Sequence, residues 1–137
     1  MGFCLLNNVA VTAAALVAAG ERVLIADFDA HHGNGTQDIF YERGDVLYVS
    51  WHQHPLYPGS GRVEETGSGD GAGATLNIPM PPGSTGEHYR RSVQDLVAPA
   101  LAGHGTTWVI LSAGYDAHRD DPLTDLGLSS GDFGDLT

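Results

Sequence analysis

The run Val23-Leu24-Ile25-Ala26-Asp27-Phe28-Asp29-Ala30-His31-His32-Gly33-Asn34-Gly35 passes from four apolar residues into two carboxylates, two imidazoles and two glycines. Val23 to Ala26 has the unbroken apolar character of a strand buried on both faces, as in a parallel sheet covered by helices. Charged groups follow such a strand where the chain reaches the sheet's carboxyl edge, and open α/β sheets place their ligand sites there. If extended geometry persists, Asp27, Asp29 and His31 project to one side. Asp-x-His at that spacing offers a divalent metal one carboxylate oxygen and one imidazole nitrogen. A lone Asp-x-His is equally compatible with a solvated strand end. The second carboxylate, the paired histidines and the Gly-rich exit weigh against that reading.

The rest of the chain repeats the pattern. Leu5 to Ala19 reads as a helix closed by Gly20, with so few polar residues that burial is expected. Thr36 to Tyr41 reads as a short helix and Val46 to Ser50 as a second strand, ending in Ser50-Trp51-His52. Gln53 to Gly73 lacks periodicity and carries Pro55, Pro58 and several glycines; an aperiodic loop of about 20 residues in a compact domain is more often functional than not. Ala74 to Ile78 is a third strand, and Ser84 or Thr85 can cap a helix over Gly86 to Ala102. Thr107 to Ser112 is a fourth strand, and beyond it lies Gly114-Tyr115-Asp116-Ala117-His118-Arg119-Asp120-Asp121. Ser129 or Ser130 can cap a last helix.

Strands alternating with helices predict a parallel α/β sheet in one domain, with a single site at its carboxyl edge. A catalytic zinc takes three protein ligands and leaves a position for water. Asp29 and His31 supply two. The third is expected from Asp116, Asp120 or Asp121, among which spacing does not choose, and such acids can instead cap turns.

Composition narrows the function classes. The 137 residues are 42% hydrophobic, and no apolar run approaches the roughly 20 residues of a membrane span. No basic segment precedes an apolar stretch at the N-terminus, so no secretory signal is read there. The single cysteine, Cys4, allows no internal disulfide and suits a reducing, cytoplasmic compartment. A net charge of −11 argues against nucleic-acid binding through phosphate neutralisation. It suits cationic substrates, or simply a solvated acidic surface.

Four ordered motifs then carry a resemblance over almost the whole chain. Asp27-Phe28-Asp29-Ala30-His31-His32-Gly33-Asn34-Gly35-Thr36-Gln37 resembles the signature of the zinc-dependent histone deacetylase family, with its acetylpolyamine amidohydrolase and acetoin-utilisation relatives. Gly2-Phe3-Cys4-Leu5-Leu6-Asn7-Asn8 is similar to the family's Gly-Phe-Cys segment, and Tyr57-Pro58-Gly59-Ser60-Gly61 to its Pro-Gly-x-Gly loop. Ser112-Ala113-Gly114-Tyr115-Asp116-Ala117-His118 with Asp121-Pro122-Leu123 resembles its third metal motif. The form His-His-Gly-Asn-Gly-Thr-Gln is typical of class II-like and bacterial members.

The resemblance implies a three-layer α/β/α sandwich of the arginase/deacetylase type, present here in part over residues 1–137. It implies zinc on Asp29, His31 and Asp121, and a structural potassium ion near Asp27, Ser50 and the Trp51 backbone. It places Gly2, Phe3 and Tyr57 on the walls of a tunnel for an acetylated lysine side chain, an acetylpolyamine or a similar small acetylated amine. The reaction implied is amide hydrolysis by zinc-activated water. The family's histidine pair and oxyanion-stabilising tyrosine are not identified in this sequence; they are expected before Gly2 and beyond Thr137, which predicts little activity for the chain alone. His52, His54, His88, His104 and His118 do not match the pair and read as structural or solvent-exposed.

Two other readings differ in chemistry. Arginase-type ureohydrolases share the fold and carry Asp-Ala-His-x-Asp for two manganese ions; Asp29-Ala30-His31 fits the first half, but Gly33 stands where the bridging carboxylate belongs. The other is a non-catalytic binding module that retains the metal. A sheet cut at its edge is also expected to self-associate.

Overall fold

A computed structural model describes residues 4–137. Four parallel strands, β1 (Val23–Asp27), β2 (Val46–Gln53), β3 (Thr75–Met80) and β4 (Trp108–Ser112), form one sheet in the order β3-β2-β1-β4. Helices α1 (Asn8–Ala18) and α2 (Asn34–Phe40) cover one face. The other face carries α3 (Gly86–Ser92), a π-helical turn at Val93–Val97, α4 (Ala98–His104) and α5 (Ser130–Leu136).

Strand alternation sorts the core. Leu24, Ala26 and Phe28 face the α3–α5 layer together with Leu47, Val49 and Trp51. Val23, Ile25, Val46 and Tyr48 face α1 and α2. This is the α/β/α sandwich expected for a strand buried on both faces.

Several boundaries move for local reasons. The first helix starts at Asn8 rather than Leu5 because the Asn7 side chain caps it, accepting from Ala10 N at 2.9 Å. It is not enclosed: only Ala10 and Ala13 are buried, and Val11 is 65% exposed, because a single face rests on the sheet. β2 runs on to Gln53, since β3 pairs with it through His52↔Pro79 and Gln53↔Met80. The long helix continues to His104 and closes at Gly105, whose φ of +70° suits a left-handed cap. Ser129 caps the last helix with Asp132.

β1 connects leftward to β2, whereas the chain leaving β3 crosses to the opposite side of β1 and enters as β4. The connections thus diverge between β1 and β4, and a crevice opens at the carboxyl ends of strands with that divergence. Asp27 is in register with Ser50 on one side and Ser112 on the other. The segments leaving β1 and β4 flank this crevice.

β4 pairs only with β1 among the described residues, and Trp108, Val109 and Leu111 are 50%, 55% and 39% exposed. An apolar, unpaired strand edge templates association. The 137-residue chain should self-associate at ~100 µM, and Val109→Lys should shift it toward monomer. Light scattering after gel filtration checks this; a wild-type monomer at that concentration would contradict it.

Candidate metal centre

The end of β1 and the loop after β4 converge on three side chains. One ligand atom each from Asp29, His31 and Asp116 lies within 4.8 Å of the others. His31 Nδ1 is 2.7 Å from Asp116 Oδ2 and 3.2 Å from Asp29 Oδ1. Backbone donors fix both carboxylates: Asp29 Oδ1 accepts from His31 N at 2.7 Å, and Asp116 Oδ1 accepts from Ala30 N at 2.8 Å. The three side chains retain 32%, 23% and 18% exposure in chain order, so the group is rooted in the fold but reachable from solvent.

Gly114 makes this approach possible. A Cβ there would overlap the Asp29 side chain. The Ala113-Gly114-Tyr115 backbone can therefore pass directly against Asp29 and deliver Asp116 to it.

Asp121, the residue implied by the motif resemblance, is not brought to this group. Its Oδ1 accepts from Leu123 N at 2.8 Å and closes a local turn. Asp120 is exposed, with its backbone N–H on His118 Nδ1 at 3.2 Å. The carboxylate that the fold supplies is Asp116, which immediately follows the Gly114-Tyr115 passage.

Behind the group sits Asp27, 3% exposed. Its Oδ1 accepts from Asp29 N at 3.3 Å and its Oδ2 from the Tyr48 hydroxyl at 3.1 Å. Burial, reinforced by the Asp29 charge, pushes its carboxyl up to about 7. Burial also raises Asp29, helped by the like charge of Asp116 and opposed by the hydrogen bond from His31 N. Two carboxylates beside one imidazole, with a third carboxyl behind Asp29, form a group whose repulsion a cation would offset. Oxygen, nitrogen, oxygen is a ligand set that zinc accepts.

Ser50 is fully buried beside Asp27, and its Oγ lies 3.0 Å from His52 Nδ1. His52 Nε2 lies 2.9 Å from Gly61 O, which can only accept, so the proton is on Nε2 and the Ser50 hydroxyl donates to Nδ1. The Ser50 lone pairs therefore stay available as an acceptor. The Trp51 side chain points to the other face, stacked on Tyr89 and donating from Nε1 to Ser92 Oγ at 2.7 Å. Tyr57 is 65% exposed on the long loop, and Gly2 and Phe3 lie outside the described residues.

Gly33 also leaves no room for a side chain, since a Cβ would stand 2.5 Å from both Asp27 Oδ2 and the Tyr48 hydroxyl. No carboxylate can occupy that position to bridge a second metal. Asn34 Oδ1, next to it, is a buried acceptor without a partner among the described residues.

A model of the histone deacetylase domain matches residues 1–137. The chain belongs to the histone deacetylase family. A probable deacetylase of Archaeoglobus fulgidus is 45% identical over 136 residues, covering 98% of this chain and 38% of that protein. An acetylpolyamine amidohydrolase of Burkholderia pseudomallei is 44% identical over 138 residues, covering 98% of this chain and 40% of that protein. The solved HDA15 HD domain superposes with a TM-score of 0.95 at 43% identity, covering 100% of this chain and 41% of that one. The chain spans less than half the length of these relatives. Among the described residues, no helix is long and apolar enough to cross a membrane.

Proposed function

We propose that this chain is the metal-binding part of a zinc-dependent amide hydrolase that removes acetyl groups from acetylated lysine side chains, acetylpolyamines or similar small acetylated amines. The convergence of Asp29, His31 and Asp116 at the crevice between β1 and β4 carries this reading. Zinc held by these three residues would supply Lewis acidity toward the amide carbonyl and toward water. Asp29 and Asp116 present anionic oxygens whose positions are fixed by backbone N–H groups, so little ordering remains on binding. His31 contributes Nδ1, the ring nitrogen turned toward both carboxylates. Asp27 adds negative charge behind them, and with the Ser50 oxygen and the Trp51 backbone it suits a monovalent cation such as potassium. Tyr57 would form one wall of the substrate tunnel.

Proton transfer and oxyanion stabilisation need groups that the described residues do not bring to this centre. His31 faces the two carboxylates, and His32 is fully engaged by Ser60 and Gln37. The isolated 137-residue chain should therefore take up zinc and bind a hydroxamate chelator, yet hydrolyse acetyl-lysine peptides at a negligible rate. Calorimetry after chelator treatment, followed by a peptide turnover assay, checks both halves. Failure to bind zinc would sink the metal reading, and turnover within a few-fold of a full-length relative would sink the expectation of inactivity.

A further inference from the structure

A second polar cluster lies behind His31 and joins the long loop to the sheet. Gln37, on α2 and buried, is its hub. Its Oε1 faces His32 Nε2 at 3.0 Å and accepts from Asn77 Nδ2 at 2.7 Å, while its Nε2 donates to Glu65 Oε2 at 2.7 Å. Glu65 Oε2 also accepts from Gly61 N at 3.1 Å. His32, 1% exposed, completes the circuit by accepting at Nδ1 from Ser60 Oγ at 2.8 Å. Gly61 closes over the two imidazoles with φ +86°; a Cβ there would stand 2.5 Å from His52 Nε2 and 2.7 Å from the His32 ring. A charged carboxylate in the loop is thus the terminus of a hydrogen-bonded chain that ends on the residue following His31.

We propose that Glu65 is a positioning residue that, through Gln37, locks His32 and the Ser60-Gly61 loop together, so that the loop carrying Tyr57 and the metal group at His31 are ordered as one unit. The coupling to metal rests on the proposed function; the latch itself does not. The geometry is directional. Two partners hold the Gln37 amide with its Oε1 toward His32: Asn77 donates to Oε1, and Glu65 is the acceptor for Nε2. Without that carboxylate Gln37 Nε2 loses its acceptor and Gly61 N its side-chain partner, and the amide facing His32 is held by Asn77 alone. The loop keeps the Ser60, Gly61 O and Glu65 O contacts but loses its direct tie to Gln37. Groups behind a metal ligand set its orientation, and their loss costs ~10–100-fold in affinity.

The test uses the 137-residue chain as wild type, Glu65→Ala and Glu65→Gln, the last retaining one acceptor oxygen. Three readouts are compared: hydrogen exchange over residues 57–65, the ring nitrogen resonances of His32, and zinc affinity. Glu65→Ala should speed exchange over 57–65 by ~10-fold or more, shift the His32 ring signals, and weaken zinc binding by ~10-fold. Glu65→Gln should recover part of each. Unchanged loop exchange and unchanged His32 signals in Glu65→Ala would overturn the latch. Altered exchange with unchanged zinc affinity would overturn its coupling to the metal. A wild type that takes up no zinc would overturn the metal reading and with it the coupling, while the exchange and ring signals still decide the latch.

Discussion

Asp116→Asn should weaken zinc binding by at least about 100-fold, whereas Asp121→Asn should leave it within about 2-fold, a contrast set by whether the residue is a direct ligand. Asparagine preserves the shape of Asp116 and can still accept from Ala30 N through its amide oxygen, a bond of 2.8 Å in the native chain. What it removes is the anionic oxygen beside His31 Nδ1. Asp121 engages only its own turn, through Leu123 N, so its neutral analogue should maintain that turn and leave the metal group untouched. Gly114→Ala provides a third arm. It alters no ligand, yet the added methyl would overlap Asp29, so zinc affinity should fall while the fold persists. Calorimetric titration of the three variants decides the matter. Equal losses for Asp116→Asn and Asp121→Asn would mean that the metal group is assembled differently.

Asp27→Asn should stabilise the chain in the absence of metal and alkali cations, and the gain should depend on pH. In the unfolded chain this carboxyl titrates near its ordinary value of 3.8; in the fold it titrates at about 7. Between those values the folded state holds a proton that the unfolded state has released, so stability falls as pH rises through this window and the full penalty applies above it. That penalty is at most about 4 kcal/mol. The asparagine variant should therefore match the wild type near pH 4 and exceed it by roughly 2–4 kcal/mol at pH 8. Asparagine is accommodated because the Tyr48 hydroxyl can redirect its proton to Gly33 O, 3.2 Å away, and accept from the new amide. Urea denaturation at several pH values measures the difference. A pH-independent gap, or a loss of stability at pH 8, would show that Asp27 is not penalised by its burial. Adding potassium should narrow the gap, because a cation rewards the ionised carboxylate that asparagine lacks.

These two experiments fall on opposite sides of what the primary structure makes legible. Asp29 and His31 are readable because a β-strand's period is local: an apolar run announces a strand buried on both faces, and the polar residues that follow must lie at its carboxyl edge. The strands and helices follow from the same kind of pattern, and their boundaries shift where a cap or a neighbouring strand intervenes, as Asn7 starts α1 at Asn8 and β3 extends β2 to Gln53. Asp116 was among the acids that spacing left open, and the resemblance favoured Asp121. The choice depends on where the chain after β4 crosses Asp29, a crossing between residues 85 positions apart that Gly114 permits by lacking a side chain.

The Gln37–Glu65 latch lies further still from what a pattern can show. Glu65 sits in an aperiodic, Gly-rich loop and looks in sequence like one more surface acid on a chain of net charge −11. Its partners lie on α2, and Asn77 of β3 binds both Gln37 and the Glu65 carbonyl. The amino-acid sequence alone thus determined the class of fold, the sheet edge at which the polar residues gather and two of the three side chains that cluster as Asp29, His31 and Asp116. Only the tertiary structure decided which carboxylate meets Asp29 and His31, along with the contacts that hold His32 and the loop in place. Periodicity and turn chemistry act over a few residues, whereas a cluster such as Asp29, His31 and Asp116 is completed by segments that meet only when the sheet has formed.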